Sequence, residues 1–311
     1  MAHTITTTAD VLAYYRQQTQ TSDPGQHESC YNGLPDDIHA LCRVVHHAIL
    51  HIFWISKTNY GLDLEQLKAA GRDLSAEFTD STLEDRLDTL LALDPRPLVE
   101  PRDPSHRSVG CCRDFALLLA SILRHRGIPA RVRTGVARYF RHEGHPLIED
   151  HYVTEHWNGD EHRWQLTDPQ IDDVQRPTID SNVDPVDLPE DAFLTARRLH
   201  AAIVAGTVPA EKVGFPPVNV GLTYARNKIF ADFLSVTGLE LPVHASWGLG
   251  DPHQDDPEDA ALVQEMLRLL RGIDRNEPEA LSEALCLAHT HPRIRRPTGY
   301  RVPSWHWPGV C

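Results

Sequence analysis

Cysteine, histidine and aspartate residues stand in an order that could support thiol chemistry. Two adjacent thiols, Cys111 and Cys112, are followed by His151 and then by Asp168. The apolar run over residues 115–123 predicts a buried helix that starts at the thiol pair. The unpaired N–H groups at a helix start favour the thiolate, which is the nucleophilic form of cysteine. With a histidine as base and an aspartate to orient it, these residues indicate thiol acyl chemistry.

The segments after this helix can position the base and the acid. The chain shows a β-like pattern over residues 130–139, 151–157 and 163–167. The turn Asn158-Gly159-Asp160 separates the last two segments, so antiparallel pairing would bring His151 and Asp168 side by side. A central helix followed by an antiparallel sheet is an α+β arrangement.

Regions of helical periodicity flank this core on both sides. The spacing of apolar residues predicts helices over residues 36–55, 83–93, 191–205, 224–236, 259–270 and 278–288, whereas residues 93–108 have the composition of an extended connection. We expect an N-terminal helical region at 1–105, a catalytic core at 106–180 and a C-terminal helical region at 181–311. We expect the three regions to pack as one integrated domain.

Composition excludes several classes of partner. The chain has 311 residues, of which 41% are hydrophobic, enough for a packed core. Its net charge of −14 would repel a nucleic-acid backbone. No apolar run approaches the ~20 residues that cross a bilayer, and the first residues lack the pattern of a signal peptide. We therefore expect a cytoplasmic protein with neither a nucleic-acid nor a membrane partner.

The six cysteines show no C-x-x-C spacing. A disulfide framework and a zinc knuckle are therefore not indicated, and we expect neither a metal nor another cofactor. One alternative stays open. His142, His145 and His151 could chelate a metal ion, as in a metallohydrolase.

Four sequence blocks in order resemble the core of the transglutaminase-like superfamily. They lie at residues 110–116 (GCCRDFA), 123–131, 150–157 and 163–169, and the resemblance covers roughly residues 106–175. Members of this superfamily share a papain-like arrangement with a Cys-His-Asp triad and include transglutaminases, peptide N-glycanases and bacterial proteases or amidases. The resemblance implies a central helix packed on an antiparallel sheet. Segments 33–35, 51–54 and 245–248 are also similar to a group of uncharacterised bacterial transglutaminase-like proteins.

The resemblance assigns roles residue by residue. In the pattern G-x-C-R-D-x-A the nucleophile stands third, which is Cys112, and Cys111 falls on the variable position. The family histidine opens the pattern H-x-W-x-E-x-aromatic, which is His151, and Asp168 before a proline is the orienting acid. This chain has Val153 where the family has tryptophan, a change in the wall beside the imidazole.

His156 competes with His151, since His156-Trp157 resembles a His-Trp motif. The in-register Glu155 favours His151. On a strand, moreover, residue 156 faces away from residues 151, 153 and 155.

The resemblance implies that Cys112 forms a thioester with an amide, peptide or thioester acyl donor, which could be a small molecule, a peptide or a carrier-bound group. The acyl group would then pass to an amine or to water, with the Cys112 N–H as one oxyanion donor. An amide or peptide hydrolase and a non-catalytic binding module on the same fold remain alternatives. Because the core is short, we expect residues 224–228 to lie over the cleft and select the substrate.

Overall fold

The fold places one buried helix against an antiparallel sheet, with further helices around both. The computed structural model describes residues 5–56, 60–140, 148–179, 182–215, 219–253, 256 and 258–303. Within these ranges the α-helices are α1 Thr8–Tyr14, α2 Ile38–Ala48, α3 Leu64–Ala69, α4 Leu74–Thr79, α5 Leu83–Leu93, α6 Cys112–His125, α7 Ala196–Val204, α8 Gly221–Val236, α9 Asp259–Asp274 and α10 Pro278–Thr290.

The strands of the same ranges form small sheets. They are β1 Ile49–His51, β2 Ser108–Gly110, β3 Ala130–Ala137, β4 Glu149–Asn158, β5 Arg163–Thr167, β6 Phe193–Thr195, β7 Gly214–Phe215 and β8 Asn219–Val220. The four-stranded sheet has the order β5-β4-β3-β6, and all of its neighbours are antiparallel. The α+β fold predicted from the sequence is thereby confirmed.

Helix α6 is the element around which the core is built. Every residue from 112 to 124 is buried, as its all-round apolar pattern predicts. The Thr154 hydroxyl of β4 donates a hydrogen bond of 2.9 Å to the Ala116 carbonyl and fixes the helix on the sheet. The helix ends at His125, and Gly127 follows with a φ of 72°, a backbone conformation that suits glycine.

The single helix predicted over residues 36–55 is wrong in its second half. Helix α2 ends at Ala48, and Ile49–His51 is instead strand β1, parallel to β2. All three residues of β1 are buried. Buried residues thus follow one another across the end of α2, and the sequence gives no sign that the helix changes to a strand there. Strand β2 begins at Ser108, the last residue of the stretch interpreted as a connection, and leads directly into the thiol pair.

The C-terminal helices begin close to where their periodicity predicts, apart from residues 191–205. There strand β6 comes first and joins the edge of the sheet, and only Ala196–Val204 is helical. Helix α8 lies along the part of β3 that β6 leaves open. Asp232 accepts a hydrogen bond of 3.0 Å from the Thr134 N–H, and the Ser235 hydroxyl donates to the Val132 carbonyl. The edge of β3 is thus covered by side chains.

Buried charges connect the sheet to the C-terminal helices. Glu155 of β4 lies 2.8 Å from Arg133 and also pairs with Arg131. Arg133 is paired in turn with Asp232 of α8 at 2.9 Å and with Asp274 of α9 at 3.0 Å. Burial favours the neutral acid, but the charges of Arg131 and Arg133 outweigh it and lower the pKa of Glu155. The carboxylate is therefore ionised and held by both arginines.

Neutralising Glu155 should destabilise the fold strongly. The substitution Glu155→Gln leaves two buried guanidinium groups short of a charge partner, and we expect a loss of about 3 kcal/mol or more in the free energy of unfolding. Urea denaturation measures it. The control Glu161→Gln removes an exposed partner of Arg163 and should cost no more than about 0.5 kcal/mol. Equal losses in the two variants would contradict a structural role for the buried network.

Candidate active site

The thiol pair stands at the junction of β2 and α6. Cys111 is the N-cap residue, with an extended φ of −129°, and Cys112 is the first helical residue. The Asp114 carboxylate accepts the Cys111 N–H at 2.8 Å. A side chain at Gly110 would place its Cβ 2.7 Å from that carboxylate. The glycine is therefore required for the turn that presents Cys112.

Arginines hold the carboxylate that caps α6. Asp114 lies 3.0 Å from Arg113 and 3.3 Å from Arg86. Burial favours the neutral acid, but the two guanidinium charges outweigh it and lower the pKa of Asp114. The helix start is thus fixed by an ionised side chain. Within the described chain no hydrogen-bond acceptor is found for the Cys112 N–H, which can therefore serve an oxyanion.

The surroundings of Cys112 favour its thiol form over the thiolate. The side chain is buried, and its pKa is raised first by its interaction with Cys111, then by burial and, less strongly, by the charge of Asp150. The positive charge of Lys228 opposes them. The lowered pKa expected at a helix N-terminus is therefore absent here, because these effects outweigh the helix dipole.

The predicted base and acid are in contact. His151 Nε2 lies 2.8 Å from Asp168 Oδ2, and both residues are buried. The Tyr139 hydroxyl donates to the same oxygen at 2.6 Å, and the Gln170 N–H donates to Oδ1 at 2.9 Å. The imidazole is packed edge-on against Phe140, with the ring centroids 5.1 Å apart. Since Nε2 is engaged, Nδ1 is the nitrogen left for proton transfer.

Asp168 is ionised. Burial favours the neutral acid, but the charge of His151 and the hydrogen bonds from His151, Tyr139 and Gln170 outweigh it and lower the pKa of Asp168. An ionised carboxylate against Nε2 fixes the imidazole tautomer and stabilises its protonated form.

The structure brings His151 and Asp168 together but does not join them to the thiol. Among the described residues no hydrogen bond connects Cys112 with either of them. Tyr152 packs in the same apolar cluster as Cys112, so strand alternation turns the neighbouring His151 to the other face of β4. Tyr139 donates to Asp168, and burial and the charge of Asp168 raise the pKa of its hydroxyl.

His156, the competing histidine, has no contact with the acid. It lies on the face of β4 opposite to His151, opposite Ala130 and Gln165 in register. Burial lowers its pKa to about 4, so it is neutral near pH ~7. Glu155, whose position relative to His151 matches the family pattern, pairs with the buried Arg131 and Arg133.

Sequence reasoning missed residues that surround the thiol and the acid. Tyr139 lies just after β3, where only a strand end is predicted. Lys228 of α8 pairs with Asp150 at 2.7 Å, across a separation of 78 residues. The only sign of Lys228 in the sequence is that a lysine stands within an apolar helical segment. Residues 224–228 were expected over the cleft, and this contact brings α8 to the strand that carries His151.

A cavity of about 530 Å³ adjoins Asp168. Its wall combines one face of α2 with the loop after Asp168, including His46, Tyr60 and Asp172. Tyr60 donates to Asp172 at 2.8 Å and holds this loop. The N-terminal region thus borders the acid.

The structure offers no metal site among the residues it describes, where no group of three or more His, Cys, Asp and Glu side chains is gathered closely enough. His142 and His145, the partners considered for His151, lie outside the described residues. The described helices also include none that is both long and apolar enough to cross a membrane.

Comparison with known proteins identifies the central segment. Residues 94–169 match the family model described as the transglutaminase-like superfamily, which confirms the resemblance read from the sequence blocks. Cys112, His151 and Asp168 all lie within the match. It supports a cysteine-type enzyme family for this segment.

Other comparisons are weaker. No curated protein matches the chain. Among solved structures, one titled as a "Putative Cysteine Protease from Cytophaga hutchinsonii" is 14% identical with a TM-score of 0.32, and the match covers 62% of this chain and 50% of that one. The chain thus spans half the length of that neighbour. We draw no conclusion about this chain from a likeness this weak.

Removing the Tyr139 hydroxyl should weaken the ionised form of Asp168. The folded-state pKa of this acid lies below the ordinary 3.8, so its stabilisation is complete above that pH and is lost as the pH falls through the folded-state value. In Tyr139→Phe the folded-state pKa rises, and we expect a loss of about 1.5–3 kcal/mol at pH ~7 that shrinks below pH ~4. Urea denaturation across this range measures the effect.

Tyr31→Phe is the matched control. The Tyr31 hydroxyl is buried but bonds to the Ser121 hydroxyl at 2.8 Å, so its loss should cost the same at both pH values. A loss in Tyr139→Phe that is equally independent of pH would contradict the role given to this hydroxyl.

Proposed function

We propose that this protein is a thiol acyl enzyme of transglutaminase-like type. Cys112 attacks an amide, peptide or thioester carbonyl and forms a thioester, which then passes its acyl group to an amine or to water. The observation that carries the proposal is the buried contact of 2.8 Å between His151 and Asp168. It lies in a segment that matches the family and that also contains a cysteine at a helix start.

The roles follow from the protonation states. Cys112 rests as a thiol, so it needs a base at the moment of attack. His151 is that base: Asp168 holds Nε2, which leaves the lone pair of Nδ1 free to accept the proton. The reaction requires the thiol to approach Nδ1 to within about 3.5 Å, and such contacts are commonly longer before substrate binds.

In each half of the reaction, one proton passes through His151. The Cys112 proton moves to Nδ1 as sulfur bonds to the carbonyl carbon, and the negative oxygen faces the Cys112 N–H. His151 then gives the proton to the departing amine or thiol, and the thioester remains. Water or an amine attacks next, His151 takes its proton, and the thiol is released.

The two cysteines should differ sharply in function. With p-nitrophenyl acetate as a probe donor, we expect wild-type protein to release a burst of nitrophenolate equal to its active sites. Cys111→Ala should retain the burst, whereas Cys112→Ala should lower its rate by about 10³-fold or more, since the nucleophile is gone. Stopped-flow absorbance measures it. Equal loss in both variants would overturn the assignment, and a protein that only binds would show no burst at all.

A substitution of Asp168 tests whether this acid orients the His151 imidazole. Asp168→Asn preserves the shape but removes the charge that holds Nε2–H, and we expect the acylation rate to fall by about 10³- to 10⁴-fold. Asp173→Asn, at an exposed position of the following loop, is the matched control and should leave the rate unchanged. The proposal fails if the two variants acylate equally fast.

Competition between an amine and water for the acyl group identifies the acceptor. Acetylated enzyme is supplied with butylamine, and the products are separated by mass spectrometry. Accumulation of N-butylacetamide in proportion to amine concentration supports transfer. Acetate alone at every amine concentration supports hydrolysis.

A further inference from the structure

A partly buried ion pair lies on the face of β4 that packs against α6. Lys228 is 7% exposed, and its Nζ is 2.7 Å from Asp150 Oδ1. The Lys228 ammonium also lies 5.3 Å from the ring centroid of Tyr224. Because burying an ammonium group is costly unless it is paired, this lysine has a fixed place and partner.

Strand alternation decides which way this pair faces. Thr154 bonds to Ala116 of α6, and Tyr152 belongs to the same apolar cluster as Cys112. Asp150 is next in the same alternation, and it precedes His151, which faces the other way. The Lys228 ammonium is 5.5 Å from the ring centroid of Tyr152. Asp150 and Tyr152 therefore leave β4 on the face that packs against α6, and the intervening His151 leaves it on the opposite face.

Titratable groups approach Cys112 from every element packed against it. They are Cys111 from its own helix start, Tyr139 from the end of β3, Asp150 and Tyr152 from β4, and Tyr224 and Lys228 from α8. The charged members of this set are Asp150 and Lys228. They oppose each other: an ammonium favours a nearby thiolate, and a carboxylate disfavours it.

We propose that the Asp150–Lys228 pair sets the balance between thiol and thiolate at Cys112 and is thus a positioning unit of the active site. The inference rests on the proposed role of Cys112 as the nucleophile. It gives α8, outside the family match, a defined part in the chemistry. Within the pair, the carboxylate favours the thiol and the ammonium favours the thiolate, in addition to the effects of Cys111 and of burial.

The pH dependence of Cys112 alkylation tests this directly. Each variant is treated with iodoacetamide over a range of pH, and tandem mass spectrometry separates alkylation at Cys112 from that at Cys111. In Lys228→Met we expect the midpoint to rise by about one pH unit or more, which slows alkylation below the midpoint about tenfold. In Asp150→Asn it should fall by a similar amount, with alkylation about tenfold faster.

Further variants separate charge from packing. Lys228→Arg keeps the positive charge and should restore a midpoint near that of the wild type. The double variant Asp150→Asn, Lys228→Met removes both charges and should lie between the single variants. Lys212→Met and Asp160→Asn, both at exposed positions, change the net charge equally and should leave the midpoint in place.

Opposite shifts in the two single variants support the inference. Midpoints that stay in place, or that move in the same direction, overturn it. If Lys228→Met does not fold, the downward shift in Asp150→Asn and the unchanged midpoint in Lys228→Arg still decide the matter. Alkylation needs no substrate, so this result is independent of the acylation burst. A normal shift without a burst would contradict the proposed function alone.

Discussion

The contact between α6 and β4 is the constraint on which the rest of the structure depends. At the start of this buried helix the Asp114 carboxylate accepts the Cys111 N–H and fixes the first turn. The hydrogen bond from Thr154 to Ala116 then sets the position of the helix along the strand. Once that position is fixed, so is the height of Cys112 against Asp150, His151 and Tyr152.

Polar side chains lie on both faces of strand β4, and each of them pairs with a different part of the chain. His151 meets Asp168, Glu155 meets the arginines of β3, and Asp150 meets Lys228 of α8. Buried charge needs compensation, so each of these pairs ties β4 to another part of the chain. The same strand thus carries His151 on one face and Asp150 on the other.

Local patterns were sufficient for most of the core. All-round apolar sequence predicts α6, and alternation with a turn predicts β4 and β5, because these signals repeat within a few residues. Strand β1 could not be predicted, since Ile49–His51 is buried on all sides and its partner β2 lies far along the chain. The pairing of Asp150 with Lys228 depends on how α8 packs against the sheet, which no nearby residue specifies. The contact of His151 with Asp168 agrees with the sequence, whereas the raised thiol pKa depends on burial and on neighbours visible only in the fold.

The central claim is that Cys112 carries the acyl group as a thioester. It is tested most directly by mixing the wild-type protein with p-nitrophenyl acetate, quenching with acid during the burst and locating the added acetyl mass by tandem mass spectrometry. The account predicts one acetyl group, on Cys112, that disappears on treatment with hydroxylamine. An acetyl group on Cys111, or no labelled cysteine at all, would contradict it.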